Sequence, residues 1–419
     1  MAQKLKFGNG TWATKKGSTL AYNDENNNYK PLPFSFTRDS IATRVNKEGL
    51  IEVVGNNIPR IDYKDSADGV LLLEPSRSNL LTYSNDFAGS SYTKNSFACL
   101  PNHAISPEGL NNASLIYQTA SGDKDFYVST PNRIDVFSVY AKASGKDFFA
   151  IFDKSGTNIV YYNLSNGTLA TVPSGTTATI TPVGNDWYRL TYYRNQSGTY
   201  QFFKPVDAAD SAIGTASGTD GALIYGAQLE NGTYATSYIP TSGSTVTRAA
   251  ETANGSGNSE VFNDSEGVLF AEINLIYNQS GRYITLGDGT SSNRIILGTE
   301  GGDDRIIFYV IVGGNVQCQI PYILPDINAI YKIAIKYKQN DFALWVNGLE
   351  VGTDTSGSTL ASNTLSKLVF NGGTGTSNFY GKTKELGYYN TALTDAELEY
   401  MTSYRSLNEL VTELNLNTL

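Results

Sequence analysis

Tyr331-Lys332-Ile333-Ala334-Ile335-Lys336-Tyr337-Lys338 is the stretch that decides the fold. Tyr331, Ile333, Ile335 and Tyr337 share one face, and Lys332, Lys336 and Lys338 share the other. That period of two marks a strand with one side on a core. The following run, 341–346, turns at Asn347-Gly348, a strong hairpin signal. Upstream the pattern recurs over 134–141, 148–153, 160–164, 187–194 and 223–229. In 136–141 it places Phe137, Val139 and Ala141 together and Ser138 opposite. Ser144-Gly145, Ser155-Gly156, Asn166-Gly167 and Ser197-Gly198 supply turns between these runs. Short strands at this spacing predict an all-β chain built as tandem β-sandwiches of jelly-roll type.

A chain of 419 residues exceeds what one core fills, so more than one domain is expected. Small polar residues over 251–260 read as a linker. The expected division is an extended arm over 1–35, a strand-rich connector over 36–80 packed on the first sandwich (81–250), the linker, and a second sandwich over 261–403. A short helical tail over 404–419 completes it. Thr394-x-x-Glu397 forms a capping box, with Leu393 and Leu398 as a hydrophobic staple. Leu407, Leu410, Val411 and Leu414 make an apolar stripe at helical spacing, suited to packing on the sandwich or against neighbouring subunits.

The net charge of −9 argues against a nucleic-acid partner. The first twenty residues depart from that balance, with Lys4, Lys6, Lys15 and Lys16 and no acid. Together with Phe7 and Trp12 they are the candidate docking residues of an arm that orders on a partner surface; the alternative is a solubilising terminus. Cys99 and Cys318 fall in different expected domains, which argues against a disulfide, and they are too few for a zinc framework. No apolar run of signal-peptide or membrane-span length is read, so folding in a reducing cytoplasm, without membrane insertion, is expected.

Three separated motifs carry a family resemblance. The first runs from Phe36-Thr37-Arg38-Asp39-Ser40 through Thr43-Arg44-Val45-Asn46 and Gly49-Leu50-Ile51-Glu52 to Pro59-Arg60-Ile61-Asp62-Tyr63. The second is Gly69-Val70-Leu71-Leu72-Leu73-Glu74-Pro75-Ser76-Arg77-Ser78-Asn79, continuing to Phe87. The third joins Gly226-Ala227-Gln228-Leu229-Glu230, Ala235-Thr236-Ser237-Tyr238-Ile239-Pro240-Thr241 and Val246-Thr247-Arg248-Ala249-Ala250. Over roughly 36–250 this trio resembles a module of bacteriophage tail and fibre proteins that frames a sandwich like those of carbohydrate-binding modules. Residues 261–402 resemble a laminin G/concanavalin A-type sandwich, through Tyr331–Ile335, Leu344-Trp345-Val346-Asn347-Gly348, 367–371 and 388–398. The resemblance implies a virion fibre or appendage protein. It would be made in the bacterial cytoplasm, held to tail or capsid proteins by its arm, and assembled as a homo-oligomer, with a homotrimer favoured. Its sandwiches would face host-surface glycans. A structural head or tail decoration and a polysaccharide depolymerase are the competing classes.

Catalytic constellations are hard to assemble. One histidine, His103, removes most triads. The concanavalin-type glucanases carry Glu-x-Asp-x-x-Glu; the nearest string here is Glu272-Ile273-Asn274-Leu275-Ile276-Tyr277, with Asn and Tyr in place of the second and third acids. The chain is therefore expected not to be an enzyme and to need no cofactor. Calcium is the weak exception: Asp303-Asp304 and Asp288-Gly289 offer oxygen donors, though a solvated turn ranks above a dedicated loop. For a glycan, Trp345 lies on the face opposite Leu344 and Val346, beside Asn347. Those two are the candidate binding residues, weighed against a core role for the Trp.

Overall fold

The computed structural model describes residues 3–20, 32–153, 158–276, 280–301, 304–406 and 409. The fold is all-β: antiparallel sheets and, among the described residues, one short helix, Asp395–Thr402. The chain divides into two compact units, each assembled from separate pieces. Unit 1 takes residues 1–39, 55–75 and 250–419; unit 2 takes 40–54 and 76–249.

Unit 1 is a two-sheet sandwich. Its eight-stranded sheet runs Leu349–Asp354, Phe342–Val346, Tyr331–Lys338, Glu266–Asn274, Gly381–Tyr389, Val70–Leu73, Arg60–Asp62, with Gln3–Gly8 also paired to Gly381–Tyr389. The nine-stranded sheet runs Ala13–Lys15, Ser18–Leu20, Phe34–Thr37, Thr252–Ser256, Lys367–Val369, Arg282–Gly287, Arg294–Thr299, Arg305–Val312, Asn315–Ile323. Tyr331, Ile333, Ile335 and Tyr337 all enter the shared core, as their alternation requires. Lys332 and Lys336, on the other face, are nearly buried, held by Glu409 and by Asp341 (2.7 Å) respectively.

Several expected boundaries differ from this arrangement. The segment 1–35 does not form a separate arm: its Leu5 and Phe7 are buried in the unit 1 core, while Lys4 and Lys6 alternate with them at its margin. Alternation over only four residues was masked by the polar composition around it. Trp12 packs on the same core and donates to the Gly69 carbonyl (3.0 Å), whereas Lys15 and Lys16 are exposed. Residues 251–260 are no linker either. Thr252–Ser256 is an inner strand between Phe34–Thr37 and Lys367–Val369, and Ala253 is fully buried. Small residues there fit a crowded sheet interior. The connector 36–80 splits, 36–39 and 55–75 joining unit 1 and 40–54 and 76–80 joining unit 2. The stripe Leu407, Leu410, Val411 and Leu414 lies outside the described residues.

In unit 2 a ten-stranded sheet is organised by two long strands, Asp125–Ser144 and Tyr188–Val206. Bulges between Ser129 and Asp135 break their register, which increases local twist and lets both halves line one core. Phe126 and Val128 reach it from one half, Phe137, Val139 and Ala141 from the other. On the opposite face Ile51, Tyr140, Trp187, Tyr225 and Tyr238 form a second cluster under the hairpin of Ala42–Val45 and Ile51–Val54.

The motif residues have a structural place. In unit 1, Arg60 donates through Nε to Glu251 Oε1 (2.8 Å) and through Nη2 to Glu74 Oε2 (2.8 Å) and Glu251 Oε2. Arg38 Nη1 donates to Glu251 Oε1 (2.8 Å) and Nη2 to the Gly55 carbonyl (2.6 Å). All four side chains are buried. Burial alone would lower the Arg60 guanidinium, but Glu251 and Glu74 outweigh it and hold it above its ordinary value. In unit 2, Asn79 bonds the backbone of Ala227, Leu229 and Ile239, and Glu230 receives the Thr236 N–H (2.9 Å). Tyr238 pairs with the Ser84 hydroxyl (2.7 Å), and Arg248 donates to Thr236 Oγ1 (3.1 Å).

Because Phe7 fills the unit 1 core, Phe7→Ala should cost about 3–5 kcal/mol in urea unfolding. Deleting residues 1–20 should leave unit 1 unable to fold. A truncated protein melting like the full chain would contradict this placement.

Candidate functional site

Trp345 does lie opposite Leu344 and Val346, but it is no platform. It packs with Phe270, Ala334 and Leu398 beneath the helix Asp395–Thr402, whose capping box at Thr394 and Glu397 forms as expected. The helix turns the less apolar face of that strand into a second core. Asn347 occupies the turn with φ of 50° and spends its side-chain oxygen on the Lys332 N–H (2.9 Å). His103 sits exposed in the strand Phe97–Ile105.

The more promising surface is the outer face of the nine-stranded sheet. Ile284 and Leu286, Ile295 and Leu297, and Ile306, Phe308 and Val310 all enter the core. Alternation therefore sends Tyr283 and Thr285, Arg294, Ile296 and Gly298, and Ile307 and Tyr309 the other way. Register aligns Tyr283 with Gly298 and Ile307, and Thr285 with Ile296 and Tyr309. Gly298 is required: a Cβ there would lie 2.1 Å from Tyr283 Cδ1, so the ring rests where a side chain would be. Gly372 brings the neighbouring loop to the other side of the ring.

Tyr309 donates its hydroxyl to Glu300 Oε1 (2.7 Å). Arg294 donates through Nη1 to the Gly372 carbonyl, while its Nε is buried with no partner and it has no acidic partner among the described residues. The loop it reaches is anchored by Thr285, which donates to the Asn371 carbonyl (2.6 Å), and by Asn371 Oδ1, which accepts from Gly373 (2.7 Å). Burial raises the Tyr283 phenol, the Glu300 charge adds to this, and Arg294 opposes it. Burial likewise raises the Tyr309 phenol, helped by its bond to Glu300. Both phenols therefore stay protonated donors at neutral pH. Half-buried Tyr283, Tyr309, Arg294 and Glu300 thus present hydroxyls, a cation and a carboxylate on one face. Twenty-eight tyrosines hid these two; the only sequence signal was the glycine breaking the apolar run Ile295-Ile296-Leu297.

The glucanase strand departs from its pattern in space as well as in sequence. Glu272 is buried on the eight-stranded sheet with Lys384 Nζ at 3.1 Å. Asn274 Oδ1 is taken by the Ile276 N–H (2.7 Å), and Tyr277 lies outside the described residues. Of the calcium donors, Asp288 spends its oxygens on the Thr290 N–H (2.7 Å) and Asn293 (2.9 Å). Burial raises its carboxyl, but those bonds prevail and hold it below the usual carboxylate range. Asp303 lies outside the described residues. Among those described, no group of three or more His, Cys, Asp or Glu is placed to hold a metal ion.

Residues 257–399 match the laminin G-like family described as the concanavalin A-like lectin/glucanases superfamily. No curated protein matches the chain. Among solved structures, the CBM40 of Ruminococcus gnavus IT-sialidase bound to α2,3-sialyllactose is 15% identical, covering 36% of this chain and 94% of its own, with a TM-score of 0.31. Domain 4 of AbnA, a GH43 extracellular arabinanase from Geobacillus stearothermophilus, in complex with arabinotriose, is 14% identical over 41% and 84%, TM-score 0.31. Mouse laminin α1 domains LG4-5 are 10% identical over 84% and 96%, TM-score 0.24. The segment 257–399 is similar to laminin G/concanavalin A-like domains.

Gly298→Ala should displace the Tyr283 ring and cost about 1–3 kcal/mol by overpacking. Its thermal melt against wild type measures this; an unchanged melt would contradict the ring placement.

Proposed function

We propose that the chain is a bacteriophage virion appendage protein that holds a host-surface glycan non-covalently on the outer face of the nine-stranded sheet of unit 1. The observation that carries glycan binding is the convergence of the half-buried Tyr283, Tyr309, Glu300 and Arg294 around Gly298, with Arg294 paired to no carboxylate among the described residues. Saccharides pair such hydroxyl donors and carboxylate acceptors with their hydroxyl groups and lay their C–H faces on aromatic rings. The buried, lysine-paired Glu272 supports a non-catalytic reading, since the carboxylate nearest the glucanase strand is already occupied. The virion assignment rests on the three motifs, and the homotrimer is part of the same reading.

One observation favours a second reading, a structural decoration that binds no receptor. The motif residues Arg38, Arg60, Glu74 and Glu251 are wholly occupied with one another and with backbone, so the motifs report a fold.

The test is binding of purified full-length protein to host-cell polysaccharide, alongside competition with infection. Tyr283→Ala and Arg294→Ala should each weaken binding about tenfold or more, the loss of a charged or aromatic contact. Undiminished binding by both variants would overturn the site. Absence of binding by the wild-type protein, with no block of infection, would favour the decoration.

A further inference from the structure

On the face of unit 2 opposite the main core, Ser138 and Tyr140 are buried, while the edge formed by Arg189, Thr191 and Thr179 is half-buried to exposed. Leu190 and Tyr192 enter the core with Phe137 and Val139, so Arg189, Thr191 and Tyr193 point away from it. Register places Arg189 between Tyr140 and Thr181, and Thr191 between Ser138 and Thr179. Arg189 Nη2 donates to Ser138 Oγ (3.0 Å), and the guanidinium lies 5.5 Å from the Tyr140 ring centroid. Its Nε is buried without a partner, and no carboxylate pairs with it among the described residues. The arginines nearby are different: Arg194 and Arg133 share Asp135 (3.0 and 2.8 Å), and Arg44 holds Glu52 (3.1 Å). Arg189 is half-buried and the strand Thr177–Pro182 beside it carries outward hydroxyls, with Thr179 Oγ1 2.6 Å from Thr191 Oγ1.

A half-buried planar cation with a rigid fork of donors, paired with no carboxylate among the described residues, is a receptor for a planar anion. The hydroxyls around it suit a polyol, and the Tyr140 ring fixes the guanidinium plane. We propose that this face is a second saccharide site, in which Arg189 pairs with the carboxylate of an acidic saccharide and Thr179 and Thr191 bond its ring hydroxyls. It is independent of the site around Tyr283, since it lies in the other unit and uses none of its residues.

The test uses full-length protein carrying Tyr283→Ala, which silences the first face. Hyaluronan tetrasaccharide, bearing glucuronate, and neutral chitotetraose are titrated by calorimetry. The acidic probe should bind at least about tenfold more tightly than the neutral one, the worth of one charge-assisted contact. Arg189→Met, which keeps the stem over Tyr140, should remove that difference with an unchanged thermal melt. Should that variant fail to fold, Arg189→Lys keeps the charge without the fork and should still weaken the acidic probe several-fold. Equal affinity for the two probes, no binding of the acidic one, or no loss in the folded variant would overturn the proposal.

Discussion

Arg60 keeps its charge where no water reaches it, and Glu251 is what makes that tenable. The Glu251 carboxylate takes two donors from Arg60, one from Arg38 and the Glu74 N–H, while Glu74 takes a further donor from Arg60. Two cations and two anions are thus sequestered together. Such a cluster contributes little net stability compared with well-packed apolar groups, yet it is costly to break from one side. Its role here is positional. Arg38 is the second-last residue before the chain first leaves unit 1, Gly55 the first after its return, Glu74 the second-last before it leaves again, and Glu251 the second after its final return. One polar cluster therefore registers every point at which a discontinuous unit is stitched together.

Unit 2 meets the same problem with a different set. Asn79, at the start of its longest segment, bonds backbone near the end of that segment, and Ser40 accepts from the Ala249 N–H (2.9 Å). The separated motifs that mark the family resemblance are the inner linings of these two closures. That explains why they are spaced so widely along the chain.

Strand identity was legible because alternation is local. The run 148–153 matches the observed strand, and the faces of Tyr331–Lys338 sort as their pattern dictates. Domain boundaries were not legible in the same way. Local composition made 251–260 a linker and 1–35 an arm, because nothing local records that Ala253 lies between two strands distant in sequence or that Phe7 closes a core. The binding candidates failed for a related reason. Trp345 points to the expected face, but a helix fifty residues on covers it. Tyr283 is accessible because a glycine on the neighbouring strand makes room, which is a matter of register.

The most direct measurement of this account is the urea unfolding of Glu251→Ala followed by probes in each unit. Removing the shared carboxylate leaves Arg60 and Arg38 buried with too little counter-charge, so unit 1 should lose about 3–5 kcal/mol. The unit 2 transition should move far less. A loss below about 1 kcal/mol in unit 1, the range of an exposed ion pair, would contradict the claim that this cluster holds the unit together.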